Sequence, residues 1–203
     1  MGRTGKISRP QNNARRANHR AGLVEQRELL GERELRAAID AMTTAILERN
    51  TRYESLVLVG IHTGGVHLAR RIQRAFADKT KVTIPLGSID ITLYRDDVFV
   101  GLPRPEVGPT SLPCSLDLRV VILVDDVLFT GRTIRSALVE LMDFGRPAAI
   151  QLAVLVDRGC RELPIQPDYV GLRIETSRDQ SVAVMLSELG DPDRVALFGR
   201  TRS

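Results

Sequence analysis

The stretch VILVDDVLFTGRTI (residues 121–134) runs an apolar strand-like segment into two adjacent carboxylates, Asp125 and Asp126. Val127, Leu128 and Phe129 follow, and then Thr130, Gly131, Arg132 and Thr133 lead into a second amphipathic segment. Small residues that expose backbone N–H groups, two hydroxyls and the positive end of a helix are what a phosphate monoester needs. Carboxylates repel phosphate, so the acid pair is expected to meet a different part of the same ligand. Ionised carboxylates are pure acceptors and suit the vicinal hydroxyls of a sugar, or the waters around a Mg²⁺. A ribose 5-phosphate satisfies both halves. Neither a Walker A loop nor a dinucleotide fingerprint occurs in the chain. Adjacent acids after a strand also cap helices or face solvent; the reading rests on the whole combination of strand, acid pair, spacer and TGRT.

The elements that must position these residues are legible from periodicity. GERELRAAIDAMTTAILERN repeats apolar residues at Leu35, Ile39, Met42 and Ile46, the stripe of an amphipathic helix. SLVLVGI (55–61), RVVILV (119–124) and AAIQLAVLV (148–156) are unbroken apolar runs, the mark of strands buried on both faces. HTGG follows the first run, and Val66, Leu68, Ala69, Ile72 and Phe76 then form a further helical stripe. Ile134, Leu138 and Leu141 predict a helix after TGRT. KVTIPLGSIDITLYRDD reads as strand, and shorter strands are expected around Tyr169–Ile174, Val182–Leu186 and Val195–Phe198. Strands alternating with helices predict an α/β fold with a mostly parallel central sheet flanked by helices. Ligands bind such sheets at the carboxyl ends of the strands. HTGG, DDVLFTGRT and DRG all follow strand ends and therefore share one edge.

Four prolines between 103 and 113 exclude a helix or a central strand there. A long irregular loop of this kind predicts a functional lid, or a disordered segment, over about 96–115. Six of the 29 basic residues lie in residues 1–22, which contain no acid. The remainder therefore has 23 bases against 25 acids, a net −2, and the overall charge of +4 belongs to the tail. That tail lacks periodicity and is expected to be disordered, with the domain proper over 23–203. A basic arm can add salt-sensitive affinity for RNA; a solvated extension or an early start codon is the plainer account. No apolar run approaches the roughly 20 residues that span a bilayer, and no secretory leader is recognisable. The two cysteines, Cys114 and Cys160, make no metal cluster, and a cytoplasmic setting is expected.

VILVDDVLFTGRT resembles the phosphoribosyl diphosphate (PRPP) signature of type I phosphoribosyltransferases. The wider pattern is similar to the PyrR family of pyrimidine-operon regulators and uracil phosphoribosyltransferases. It is carried by ILERN, LVLVGIHTGGVHLA, GSIDITLYRDD, VILVDDVLFTGRTIRSAL, DFGRPAAIQLAVLVDRGCRELPIQPDYVG and ETS, over roughly residues 30–198. The resemblance implies a type I phosphoribosyltransferase fold with a small hood and a flexible lid, and transfer from PRPP to uracil to give UMP and diphosphate. It implies that Asp125–Thr133 bind the ribose phosphate, that His62, Thr63, Gly64 and Gly65 hold the diphosphate, and that Tyr94, Arg95, Asp96 and Asp97 form the lid hinge. It also implies that Asp157, Arg158 and Val182 lie near the base, and that Mg²⁺ is held through PRPP and water beside Asp125 and Asp126. His62 can equally be an ordinary loop residue, and Asp157 a structural acid paired with an arginine.

Gly64 departs from the pattern, since many relatives carry arginine there. Loss of a cation is expected to weaken diphosphate binding, with Arg95 or a lid residue as the compensating charge. Relatives that regulate attenuation bind a pyrimidine-operon mRNA leader, promoted by uridine nucleotides such as UMP and UTP. Here Asp40, Ala41 and Thr44 occupy positions that tend to be hydroxyl, basic or imidazole, and Cys160 and Gln166 replace a histidine and an arginine. Arg49 and Arg161 remain as candidate RNA contacts. Catalysis is thus favoured over RNA binding; a weakly catalytic nucleotide sensor or a transferase for another base are the alternatives. Self-association as a dimer or larger assembly is expected from the resemblance.

Overall fold

A computed structural model describes residues 22–91 and 110–200. Residues 1–21 of the basic tail, the hinge residues Tyr94, Arg95, Asp96 and Asp97, and lid residues up to 109 lie outside the described residues. The apolar runs form strands β2 (Leu56–Ile61), β4 (Val120–Leu128) and β5 (Ala149–Asp157). With β3 (Leu86–Ile89) and β6 (Tyr169–Arg173) they build a five-stranded sheet of order β3-β2-β4-β5-β6, parallel at every pairing. All six residues of β2 are buried, which explains why its sequence does not alternate.

Successive residues of each strand serve opposite faces. Leu56, Leu58, Ile122, Val124 and Leu155 face helices α1 (Glu32–Arg49) and α2 (Gly64–Thr80), where Leu35, Ile39, Ile46, Leu68, Ile72 and Phe76 complete one core. Val57, Val59, Val121, Leu123 and Val154 face helix α3 (Arg132–Asp143) through Ile134, Ala137 and Leu141. The helical stripes expected from the sequence are these buried faces.

A separate antiparallel sheet, order β1-β8-β7, forms the hood from Val24–Leu30 (β1), Arg194–Gly199 (β8) and Ser181–Met185 (β7). Strand β1 was not foreseen. Its first five residues are exposed, so no apolar alternation marks it. Arg71 of α2 docks the hood by donating to both carboxylate oxygens of Asp193, to Glu188 and to Ser187 Oγ.

Two expectations change. Of the strand expected across 81–97, the described residues 81–91 form only Leu86–Ile89, because Lys81 is the left-handed cap of α2 and pairing with β2 begins at Leu86. Residues 110–115 of the expected lid are anchored to the body. Ser111 exchanges two backbone hydrogen bonds with Ser88 at 2.8 and 2.9 Å, Thr110 Oγ1 donates to Glu140, and Leu112 and Cys114 pack on the second core.

Candidate active site

The acid pair lies within the ladder of β4 and not beyond it. Asp125 aligns with Val154, Val127 with Val156 and Leu128 with Asp157 of β5. Asp125 is 6% exposed, and its Oδ1 accepts the Asp126 N–H at 2.9 Å. Asp126 Oδ1 accepts the Val127 N–H at 2.9 Å, so each carboxylate is oriented by the next peptide. Their place on the central strand brings them between the loop ending β2 and the turn starting α3.

That turn is shaped from behind by the segment after β5. The carbonyl of Leu128 accepts from Arg158 N–H, that of Phe129 from Arg161 Nη1, and that of Thr130 from the N–H groups of Glu162 and Leu163. The negative ends of three successive peptides are thereby occupied by the β5–β6 segment at the threshold of α3. Gly131 adopts φ +94°, a conformation that disfavours any side chain, and Arg132 opens the helix. Thr130 Oγ1 accepts from the Arg132 N–H at 3.4 Å. The Arg132 side chain donates to Glu162, which Arg178 also reaches from the segment before β7. The bond from Arg132 above all, and then Arg178, holds the Glu162 carboxyl below its ordinary range.

The loop after β2 arrives at the same edge. His62 donates its N–H to Ile89 O at 3.0 Å, Thr63 precedes the helix, and Gly64 and Gly65 begin α2. A Cβ on Gly65 would stand 2.3 Å from Val124 O, and one on Gly64 2.3 Å from Asp126 Oδ2. The first turn of α2 therefore lies directly against the acid pair. Its unsatisfied N–H groups carry the positive end of the helix dipole.

The candidates at the end of β5 have a different character. Asp157 is buried and accepts from Arg161 Nη2 at 2.6 Å and from Gly159 N–H at 3.2 Å. Arg161 also donates to the carbonyls of Phe129, Gly159 and Ile165. Arg158 is 5% exposed, with its guanidinium 4.0 Å from the centroid of the Phe129 ring. It donates to Thr176 Oγ1 and to the carbonyls of Ser177 and Gln180, and its burial depresses its pKa. Arg158 thus joins the turn before α3 to the segment that leads into the hood, and Arg161 joins that turn to the segment after β5. Val182 lies on β7 at the margin of the first core. Arg49, the last residue of α1, is at the amino end of β6, paired with Asp168 and lying over the Tyr169 ring.

Two supports escaped sequence reasoning: the role of Glu162, and the inward aim of Arg161. Only the density of charge in DRGCRE hinted at them.

An acid pair on the central strand, a glycine turn opening the helix beside it, and a hood against a parallel sheet are the layout of a phosphoribosyltransferase. Residues 26–187 match the phosphoribosyl transferase domain. Bifunctional protein PyrR of Geobacter sulfurreducens is 52% identical over 163 residues, covering 80% of this chain and 92% of the relative. That of Thermus thermophilus is 49% identical over 173 residues, covering 85% and 96%. The chain belongs to the PyrR family of phosphoribosyltransferase-domain proteins. Solved hypoxanthine phosphoribosyltransferases share the fold at lower identity. One from Trypanosoma cruzi is 19% identical with TM-score 0.66, covering 87% of this chain and 98% of that one. A hypoxanthine-guanine enzyme of Bacillus anthracis is 18% identical with TM-score 0.64, covering 85% and 98%.

Proposed function

We propose that this chain transfers the phosphoribosyl group of PRPP to uracil, giving UMP and diphosphate. The observation that carries the reading is the convergence of Asp125 and Asp126, the Thr130–Thr133 turn and the Gly64–Gly65 helix start at one end of β4. Three sites for three parts of one substrate lie side by side. The N–H groups at the start of α3 receive the 5-phosphate, Asp125 and Asp126 accept from the ribose hydroxyls, and the residues from His62 to Gly65 receive the diphosphate. Uracil N1 bonds to ribose C1 as the bond from C1 to the diphosphate oxygen breaks, and N1 gives up its proton. No enzyme nucleophile is required. Donors already oriented toward the departing diphosphate stabilise the charge that develops on it.

The residues fit a Mg²⁺ that arrives with its own oxygen ligands. Two carboxylates stand together on β4, and among the described residues no group of three or more metal-binding side chains gathers into a protein cage. Asp125 and Asp126 would hold such an ion through PRPP and water, and when bound it would offset the charge of the diphosphate.

Base recognition falls to the end of β5 and to Val182 of the hood. Because the side chains of Asp157 and Arg158 are engaged within the protein, main-chain groups there are the base's partners. Family membership supports a second role as a uridine-nucleotide-responsive regulator that binds a pyrimidine-operon mRNA leader. Catalysis is the primary reading, since Arg161 faces inward and Arg49 is paired with Asp168. Assembly as a homodimer or larger homo-oligomer in the cytoplasm accords with both roles; among the described residues no helix is long and apolar enough to cross a membrane.

The test is nucleotide formation from PRPP and Mg²⁺ with a panel of bases. UMP from uracil alone is expected. Turnover of another base, or tight UMP binding without turnover, would replace the proposal by a different transferase or by a sensor.

A further inference from the structure

Helix α3 carries on its outer side a stripe that belongs to neither core. Ile134, Ala137 and Leu141 face the sheet, and Arg135, Val139, Met142 and Asp143 stand opposite them at helical spacing, all exposed. Val139 is 42% and Met142 59% exposed. Phe144 caps the helix and Leu118 lies beside its end, donating its N–H to Arg146 O. These are four of the six large exposed hydrophobic residues among the described ones. Gathered at one helix, they make a patch and not a scatter.

The charges of α3 run against its own dipole. Arg132 and Arg135 stand near its positive end, where the first turn holds no acid, and Asp143 closes its negative end, where the last turn holds no base. The dipole favours the reverse at both ends. Arg132 is answered by Glu162. Arg135 and Asp143 have no side-chain partner among the described residues. They lie two turns apart, about 12 Å along the axis, with Val139 midway between them.

We propose that this face of α3 is a contact between two copies of the chain, with the helices packed antiparallel about a twofold axis through Val139. Such an axis makes a contact self-complementary. Arg135 meets Asp143 of the partner subunit, Asp143 meets Arg135 of the partner subunit, and the apolar residues close on one another between the two ion pairs. The two dipoles then oppose each other, and each misplaced charge finds its opposite. A parallel arrangement would set like charges together at both ends. A partner of another kind would not require opposite charges spaced symmetrically about one apolar residue. The proposal gives the homo-oligomer proposed above a defined contact, and rests on that reading.

The test is sedimentation velocity of the full chain over a dilution series. It compares the wild type with Arg135→Asp, Asp143→Arg and the double reversal Arg135→Asp/Asp143→Arg. Each single reversal sets like charges opposite one another and is expected to weaken association at least about tenfold. The double reversal restores opposite charges and is expected to return the dissociation constant to within about threefold of the wild type. Each single reversal also suits the dipole of its own helix, so its protomer is expected to stay folded, as circular dichroism will report. A second measurement uses Val139→Cys with Cys114→Ser and Cys160→Ser, which is expected to give a disulfide-linked dimer on mild oxidation. A monomeric wild type would sink the oligomer reading and this contact together. In an associating wild type, the contact alone is overturned by single reversals that associate as the wild type does, by a double reversal that associates no better than the singles, or by Val139→Cys protein that does not cross-link.

Discussion

The carboxyl ends of β4 and β5 lie side by side and both carry acid, yet they use it differently. At the end of β5, Asp157 meets Arg161, and Arg158 is sunk against Phe129 and the hood; charge there is spent on holding the loops together. At the end of β4, Asp125 and Asp126 are oriented by backbone N–H groups and backed by glycine, an arrangement suited to accepting hydrogen bonds from a ligand. Charged residues following a strand are thus not by themselves a site. What separates scaffold from site is the nature of the groups that surround the charge.

The contrast can be broken by experiment. Arg161→Ala takes the 2.6 Å partner from the buried Asp157, leaving it Arg173 at 3.9 Å and the Gly159 N–H, and removes a donor from three carbonyls, so it is expected to cost about 3 kcal/mol in urea denaturation. Asp126→Asn is expected to lower kcat/KM for PRPP about 100-fold while leaving the melting temperature unchanged. Should Asp126→Asn instead destabilise as severely as Arg161→Ala, both strand ends would be scaffold and the distinction would fall.

A smaller effect is expected where the hood meets α2. Arg71 holds the Asp193 carboxyl down to about 2 from its ordinary 3.8. A depressed carboxyl contributes stability above its unfolded pKa and loses it as pH falls through the folded one. The advantage in melting temperature of the wild type over Arg71→Ala should therefore be full above about pH 5 and shrink between about pH 4 and pH 2. A gap that is constant across that range would mean that Arg71 acts by packing alone. The smallest change is expected for Glu162→Gln, whose partners Arg132 and Arg178 are largely exposed. It should shift stability by no more than about 0.5 kcal/mol by chemical denaturation.

Legibility in the sequence tracked burial. The strands β2, β4 and β5 and the stripes of α1, α2 and α3 were readable because apolar residues bury in both cores at fixed periods. Strand β1 was not, since a mostly exposed hood edge imposes no such period. The acid pair and the turn before α3 were readable because their residues are contiguous. The contact of Gly64 with Asp126 joins positions far apart in the chain, and only the parallel pairing of β2 with β4 brings them together. Charge patterns announce neither their direction nor their partners. Arg161, expected as a surface contact for RNA, is turned inward because four acceptors surround it there.

The hood's first and last strands run antiparallel with Val24 opposite Gly199, so the path of the described residues returns to its origin. At the far edge, Asp90 and Thr110 are likewise joined, by a hydrogen bond of 3.3 Å from backbone N–H to hydroxyl. The protein is in this sense a ring with two seams. A permuted gene that splices the hood ends with a short linker and opens the chain between 91 and 110 would keep every strand pairing found among the described residues, and would give the sheet edge beside β3 two free ends where the present chain has one continuous span.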